Sequence, residues 1–305
     1  MRDATNRWQC LMHPFSRGGA FEVAIPPGDL LNDRMCMKLP SLSRISRRAV
    51  RTVLILLLAA TWPGLAPAQN TNATALSSSE LPAQLLFPTN RDLLPGKGPV
   101  SQWKPFPKLW AQRRAEFRQH REQDKGAVVF LGDSITQGWN SLAEDFPNFK
   151  VANRGIGGDV TRGVLFRLKE DVLELEPEAV VLLIGTNDIG NGGNPEDAAD
   201  NIRMILAALE KSNPRMPIIV CKVMPGKKAV AHKIRKLDRL IGKMVKRDPR
   251  LTLCDTWSIY ANKDGTCNQE EFPDMLHPNK LGYAKWAGAL EPIIAKLDLG
   301  GKKAE

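Results

Sequence analysis

The stretch Val128–Trp139, VVFLGDSITQGW, decides how this chain is read. Its apolar run, Val128 to Leu131, is too short for an independent helix and suits a strand buried on both faces. Gly132, Asp133 and Ser134 then stop it abruptly, with an acid and a hydroxyl at the tip. A core strand that ends this way feeds either a turn or a nucleophile. The segments that follow separate the two.

From residue 127 onward, short apolar runs alternate with helical patterns. The spacing predicts strands at 127–131, 150–153, 179–184, 217–224 and 251–255, with helices near 159–175, 195–212, 230–247 and 278–297. Residues 107–124 add an amphipathic helix carrying Leu109, Trp110 and Phe117. Asn194-Pro195 and His277-Pro278 read as a cap followed by a first-turn proline. Strict alternation implies right-handed crossovers and a parallel sheet covered on both sides, an α/β class.

In such a sheet, ligands sit beyond the carboxyl ends of the strands. Those ends carry Asp133-Ser134, the segment Asn153 to Asp159, Gly185-Thr186-Asn187-Asp188, and, after the last strand, Asp274-Met275-Leu276-His277. His120 and His232 fall in charged helical segments and read as solvated. His277 alone lies at a loop-to-helix boundary with a carboxylate three residues before it. Asp274 can therefore bind one imidazole nitrogen while the other faces Ser134, the division of labour of nucleophilic catalysis. Gly157 and Gly158 offer unobstructed backbone N–H groups for a developing oxyanion, and Asn187 offers a side-chain amide. Asp133 is adjacent to Ser134 and reads as holding the turn through backbone hydrogen bonds.

GDSITQGW, NRGIGGDVTRGVLFRLK, IGTNDIG and DMLH, in that order, resemble the four sequence blocks of the SGNH (GDSL) hydrolase family. The second block is most similar to the branch of platelet-activating-factor acetylhydrolase catalytic subunits and sialate O-acetylesterase-like enzymes. The resemblance spans about Trp110 to Leu297. It implies a flavodoxin-like three-layer α/β/α sandwich with a five-stranded parallel sheet. It implies Ser134 as nucleophile, Asp274 and His277 as the rest of the triad, and an oxyanion hole from the Ser134 amide, Gly158 and Asn187. Ile135 and Leu276 resemble family positions that narrow the acyl pocket, and Thr186 is expected beside them. No cofactor and no metal is implied. Ile135 replaces the leucine of the family motif at similar size and polarity.

Rival motifs fit less well. A dinucleotide loop G-x-G-x-x-G would need glycine where Val160 stands, and the loop follows the second strand rather than the first. A G-x-S-x-G elbow would need glycine where Thr136 stands. Arg154 and Arg162 are candidates for an acidic substrate, with solvated side chains the alternative. Trp139 and Tyr260 are expected in the core, with sugar stacking the alternative. The loop 190–194, GNGGN, lies beside the expected site as lid or surface turn.

The amino-terminal part reads differently. Residues 38–51 are basic, Val53–Trp62 is an apolar run of ten, and Ala66-Pro67-Ala68 fits a small-x-small cleavage site, together a secretory signal. The run is well short of the roughly 20 residues of a spanning helix, so no stable membrane span is expected after cleavage. Met35 or Met37 is the expected start. Cleavage near Ala68/Gln69 leaves 237 of the 305 residues. Removing the nine basic and four acidic residues of 1–68 takes the net charge from +10 to +5, which leaves little case for a nucleic-acid partner. Three cysteines remain, and an odd number leaves at least one free. Cys254 and Cys267 could pair, with apolar packing of strand cysteines the alternative.

The expected layout is therefore an extension and signal at 1–68, a linker or tail at 69–104 that drapes over the domain, a hydrolase domain at 105–298 and a tail at 299–305. The expected function is a secreted or periplasmic serine esterase for short acyl groups, acetyl on carbohydrate foremost. Lipid esters of the platelet-activating-factor or lysophospholipid type, and thioesters, are alternatives within that class. A catalytically idle carbohydrate-binding relative is the alternative outside it.

Overall fold

The computed structural model describes residues 82–297 and residue 299. The leader, the expected start site, residues 69–81 and most of the C-terminal tail lie outside them.

Residues 82–104 form an extended strap with two short 3-10 turns, Ala83–Leu85 and Arg91–Leu93. Then come α1 (Phe106–Gln119), α2 (Arg121–Asp124), β1 (Val128–Gly132), α3 (Ser134–Gln137), α4 (Leu142–Asp145), β2 (Val151–Gly155), α5 (Thr161–Asp171) and β3 (Ala179–Leu183). They are followed by α6 (Thr186–Gly190), α7 (Pro195–Ser212), β4 (Ile218–Cys221), α8 (Lys228–Arg247), β5 (Leu251–Cys254), α9 (Thr256–Tyr260) and α10 (Lys280–Ile294).

The five strands are parallel in the order β2-β1-β3-β4-β5, the flavodoxin-like order, with its switch point between β1 and β3. The period-2 geometry of a strand sorts side chains between two cores. In β3, Val180 and Leu182 face Val164, Ile202 and Leu237 of α5, α7 and α8, whereas Val181 and Leu183 face Tyr283, Trp286 and Leu290 of α10. That is why β1 and β3 read as unbroken apolar runs. A third, aromatic cluster of Phe106, Trp110, Phe117 and Ile156 joins α1 and the strap to the sheet, with Phe87 edge-on to Phe106 and Trp110. No helix among the described residues is long and apolar enough to cross a membrane.

Register brings the site together. Gly132 pairs with Gly155 on one side and with Leu183 on the other. The loops after β1, β2 and β3 therefore leave the sheet at one level. Gly155 permits this crowding, because a Cβ there would come within 2.2 Å of the Gln137 backbone nitrogen.

Four expectations change. The 107–124 helix breaks at His120 into α1 and α2. β4 ends at Cys221, because the chain bends toward α8, where Asp238 accepts from the Val223 N–H at 2.8 Å. α10 starts at Lys280, because Asn279 rather than His277 is its cap and accepts from the Leu281 and Gly282 N–H groups. Cys221, Cys254 and Cys267 are all buried free thiols, so Cys254 and Cys267 do not pair.

The two arginines considered for substrate are structural. Arg154 is buried, pairs with Asp124 at 2.7 Å and donates to the Asp171 carbonyl. Arg162 donates to four strap carbonyls, those of Arg91, Leu94, Pro95 and Gly98, at 2.7–3.1 Å. Asn201 adds two bonds to Lys97, accepting from its N–H and donating to its carbonyl. The described part of the expected linker is thus seated on the domain.

Candidate active site

Asp133 caps α3, with Oδ1 accepting from the Ile135 N–H at 3.0 Å. This fixes Ser134 as the first residue of the helix, where its own N–H has no intrahelical acceptor. The Ser134 hydroxyl lies 2.9 Å from His277 Nε2, and His277 Nδ1 lies 2.6 Å from Asp274 Oδ2. An ionised carboxylate only accepts, so Nδ1 carries the hydrogen and Nε2 is left to accept from Ser134. Asp274 Oδ1 also accepts from the N–H groups of Leu276 and His277, which curls the loop back on itself. Met275 between them adopts φ +62°. Burial works against ionisation of Asp274. The backbone and imidazole N–H groups of His277 outweigh it and hold the carboxyl below the usual range.

The glycine loop after β2 supplies one donor rather than two. Gly157 donates its N–H to Gln137 Oε1 at 2.6 Å, so that group is already engaged. Gly158 adopts φ +81°, a conformation that favours glycine, and lines the cleft. Asn187, on the first turn of α6, donates from Nδ2 to the Asp159 carbonyl at 2.9 Å. Its other amide hydrogen meets only a long 3.4 Å contact with Asp133 Oδ2 and is available to a substrate oxygen.

Behind these groups lies a buried acid cluster. Burial, aided by the charges of Asp159 and Asp188, pushes Asp133 up to about 7 against the Ile135 N–H. Burial pushes Asp159 up to about 6, opposed by Arg167 at 2.8 Å. Asp188 is raised by burial and accepts from both the N–H and the hydroxyl of Thr161. Arg167 also donates to the carbonyls of Gly132 and Arg154, tying α5 to the ends of β1 and β2.

The cleft has a volume of about 650 Å³, within the range of small-molecule sites. Ser134, Gly158, Asn187, Leu276 and His277 line it. Ile135 and Thr186 do not. Ile135 is 1% exposed and turns into the core, since neighbours on one helical turn diverge. Thr186 buries its hydroxyl away from the cleft without a partner among the described residues. Trp139 and Tyr260 are likewise buried, and the Tyr260 hydroxyl donates to the Gly282 carbonyl, so neither offers a sugar surface. Residues missed in the sequence are Ser101, Trp103, Leu109, Gln137, Asn140 and Asn191. Gln137 had a signal, standing three positions after Ser134 on the same helical face. Asn191 belongs to the 190–194 loop, and its amide donates to the Asn187 carbonyl. Among the described residues no group of three His, Cys, Asp or Glu side chains is arranged to hold a metal ion.

Comparison with known proteins adds the family. Residues 130–285 match the GDSL-like lipase/acylhydrolase family. The alpha2 subunit of human platelet-activating factor acetylhydrolase IB is 31% identical over 195 residues, which cover 62% of this chain and 84% of that protein. A GDSL-like lipase from Bacteroides thetaiotaomicron superposes with a TM-score of 0.53 at 26% identity, over 60% of this chain and 98% of that one. An acetyl xylan esterase shares the fold, with a TM-score of 0.50 at 22% identity, over 55% and 98% of the two chains. Together with the sheet order, these place the chain in the GDSL-like lipase/acylhydrolase family, and it is an ester-hydrolysing serine hydrolase.

Proposed function

We propose that Ser134 attacks the carbonyl of a short-chain acyl ester, foremost an acetyl group carried by a carbohydrate, to form an acyl-enzyme that water then hydrolyses. The 2.9 Å contact between Ser134 Oγ and His277 Nε2 carries this reading. As the Oγ–C bond forms, the hydroxyl proton passes to Nε2, and Asp274 stabilises the imidazolium through Nδ1–H. The tetrahedral oxyanion takes hydrogen bonds from the Ser134 N–H, the Gly158 N–H and Asn187 Nδ2. Collapse breaks the bond to the alcohol oxygen, which leaves with the proton from Nε2. Water repeats the sequence, with Nε2 as its base, and frees the acid.

Leu109 and Leu276 give the cleft an aliphatic surface for the acyl chain. Relatives named as a platelet-activating factor acetylhydrolase and an acetyl xylan esterase lend support to acetyl transfer. Export is supported by the sequence pattern of 38–68 alone; mature protein from the producing cell should begin at Gln69, and a retained leader would reject it. An ester panel tests the substrate. Acetylated sugars and p-nitrophenyl acetate should be turned over, and butyrate esters faster than palmitate esters. Preference for phospholipid acetyl esters over acetylated sugars would move the substrate to lipid.

A further inference from the structure

We propose that Trp103, carried on the 82–104 strap, is the platform against which a sugar ring of the substrate's alcohol moiety stacks, so that the strap sets specificity. This rests on the carbohydrate reading above and extends it to a residue.

Among the described residues, Trp103 is the one aromatic side chain besides the catalytic His277 that lines the cleft. It is 51% exposed, whereas Trp110, Trp139 and Trp286 are at most 1% exposed. A large apolar face left in water beside a nucleophile gains most by being covered. The indole sits next to the oxyanion side of the site, since a Cβ built on Gly158 would lie 3.5 Å from its ring. An acetyl group fills little of a cleft of about 650 Å³, so most of that volume belongs to the alcohol.

The chemistry of the lining matches a polyhydroxylated neutral ring. Gln137, Asn140 and Asn191 add side-chain amides; with Gln137 Oε1 accepting from the Gly157 N–H and Asn191 Nδ2 donating to the Asn187 carbonyl, the Gln137 NH₂, the Asn191 Oδ1 and the Asn140 amide are left to meet neighbouring hydroxyls. Among the described residues, His277 is the one titratable side chain on the lining, with no lysine or arginine to meet a phosphate. A pyranose offers an apolar C–H face for the indole and hydroxyls at its edge for the amides.

The platform is held in place. Arg162 gives the strap four charge-assisted hydrogen bonds, Asn201 brackets Lys97 on both sides, and Leu85, Leu94 and Val100 are buried beneath. Asn201 also donates to Thr161 Oγ1, which donates to Asp188, next in sequence to Asn187. The strap lies outside residues 130–285, the part that matches the family model.

The test compares two esters that share an acetyl group, an acetylated xylo-oligosaccharide and p-nitrophenyl acetate, on the full chain. In Trp103→Ala the ratio of kcat/KM for the sugar ester to that for the aryl ester should fall at least tenfold, mainly through KM for the sugar. Trp103→Phe should restore most of it. Arg162→Leu, which unseats the strap without touching the indole, should shift the ratio the same way. A ratio that stays within twofold of wild type in Trp103→Ala overturns the platform. Wild-type protein that cleaves p-nitrophenyl acetate but no acetylated sugar overturns the carbohydrate reading itself and this inference with it.

Discussion

The reacting groups and the strap form two walls of one cleft, and different forces hold them. Ser134, Gly158 and Asn187 stand at the ends of adjacent strands, so sheet register fixes their spacing. Trp103 stands on a segment with only two short 3-10 turns, fixed by hydrogen bonds from Arg162, Asn201 and Arg114 and by a few buried apolar side chains. The same helix serves both. Arg167 points inward from α5 and grips Asp159 and the strand ends, while Arg162, five residues earlier, points outward and grips the strap. The backbone of the reacting wall therefore cannot shift without disturbing the core, whereas the substrate wall can change while the core stays intact.

Ser134→Ala is the hardest blow to the first wall. It should lower kcat for p-nitrophenyl acetate by about 10⁴ or more with the fold retained by circular dichroism; retention of most activity would remove Ser134 as nucleophile. Arg167→Met should destabilise the protein by about 3–5 kcal/mol in denaturant melts, because Asp159 is left buried and unpaired. Asn187→Ala should lower kcat by about 10²–10³, with KM little moved, since its bond strengthens at the oxyanion. A loss confined to KM would make it a binding group only.

Breaking the second wall should cost less. Arg162→Leu should reduce stability by about 1–2 kcal/mol while trypsin cleavage after Arg91 and Lys97 accelerates. Equal slowing of all ester hydrolysis with no new cleavage would show that the walls are not separable. A further effect is one of pH. Asp133 is protonated in the folded state up to about 7 but ionised in the unfolded chain above about 3.9. Its contribution is thus present at low pH and lost as pH rises through about 7. Asp133→Asn should remove up to about 1.4 kcal/mol per pH unit of that slope between pH 4 and 7 in thermal melts compared with wild type, and identical slopes would place the shift elsewhere.

The first wall was legible because chemistry restricts which residues can serve. Continuous apolar runs marked β1 and β3, glycines marked their ends, and one histidine had a carboxylate at a spacing that lets the loop curl back. The second wall was not legible, because nothing local determines it. Residues 82–104 lack periodicity, and their conformation is dictated by Arg162 and Asn201, more than 60 residues away. Arg154 and Arg162 carry charge, which in sequence suggests solvent; burial depended on partners that only folding supplies. The same limit misplaced Ile135, since the face of α3 that meets the cleft is set by docking. Composition alone left Gly157 and Gly158 equivalent; the family resemblance pointed to Gly158, and the structure gives a reason, since Gln137 engages the N–H of Gly157.

Met275 keeps a left-handed backbone between Asp274 and His277, while its thioether lies 4.0 Å from the Cys267 thiol. An L-residue held there costs about 1 kcal/mol or more. The enzyme thus keeps its proton relay cocked by a bend that the anchored sulfur will not let go. A glycine in that place would relax the bend and slacken the aim of the imidazole, and would also give up the packing of the Met275 side chain on the core.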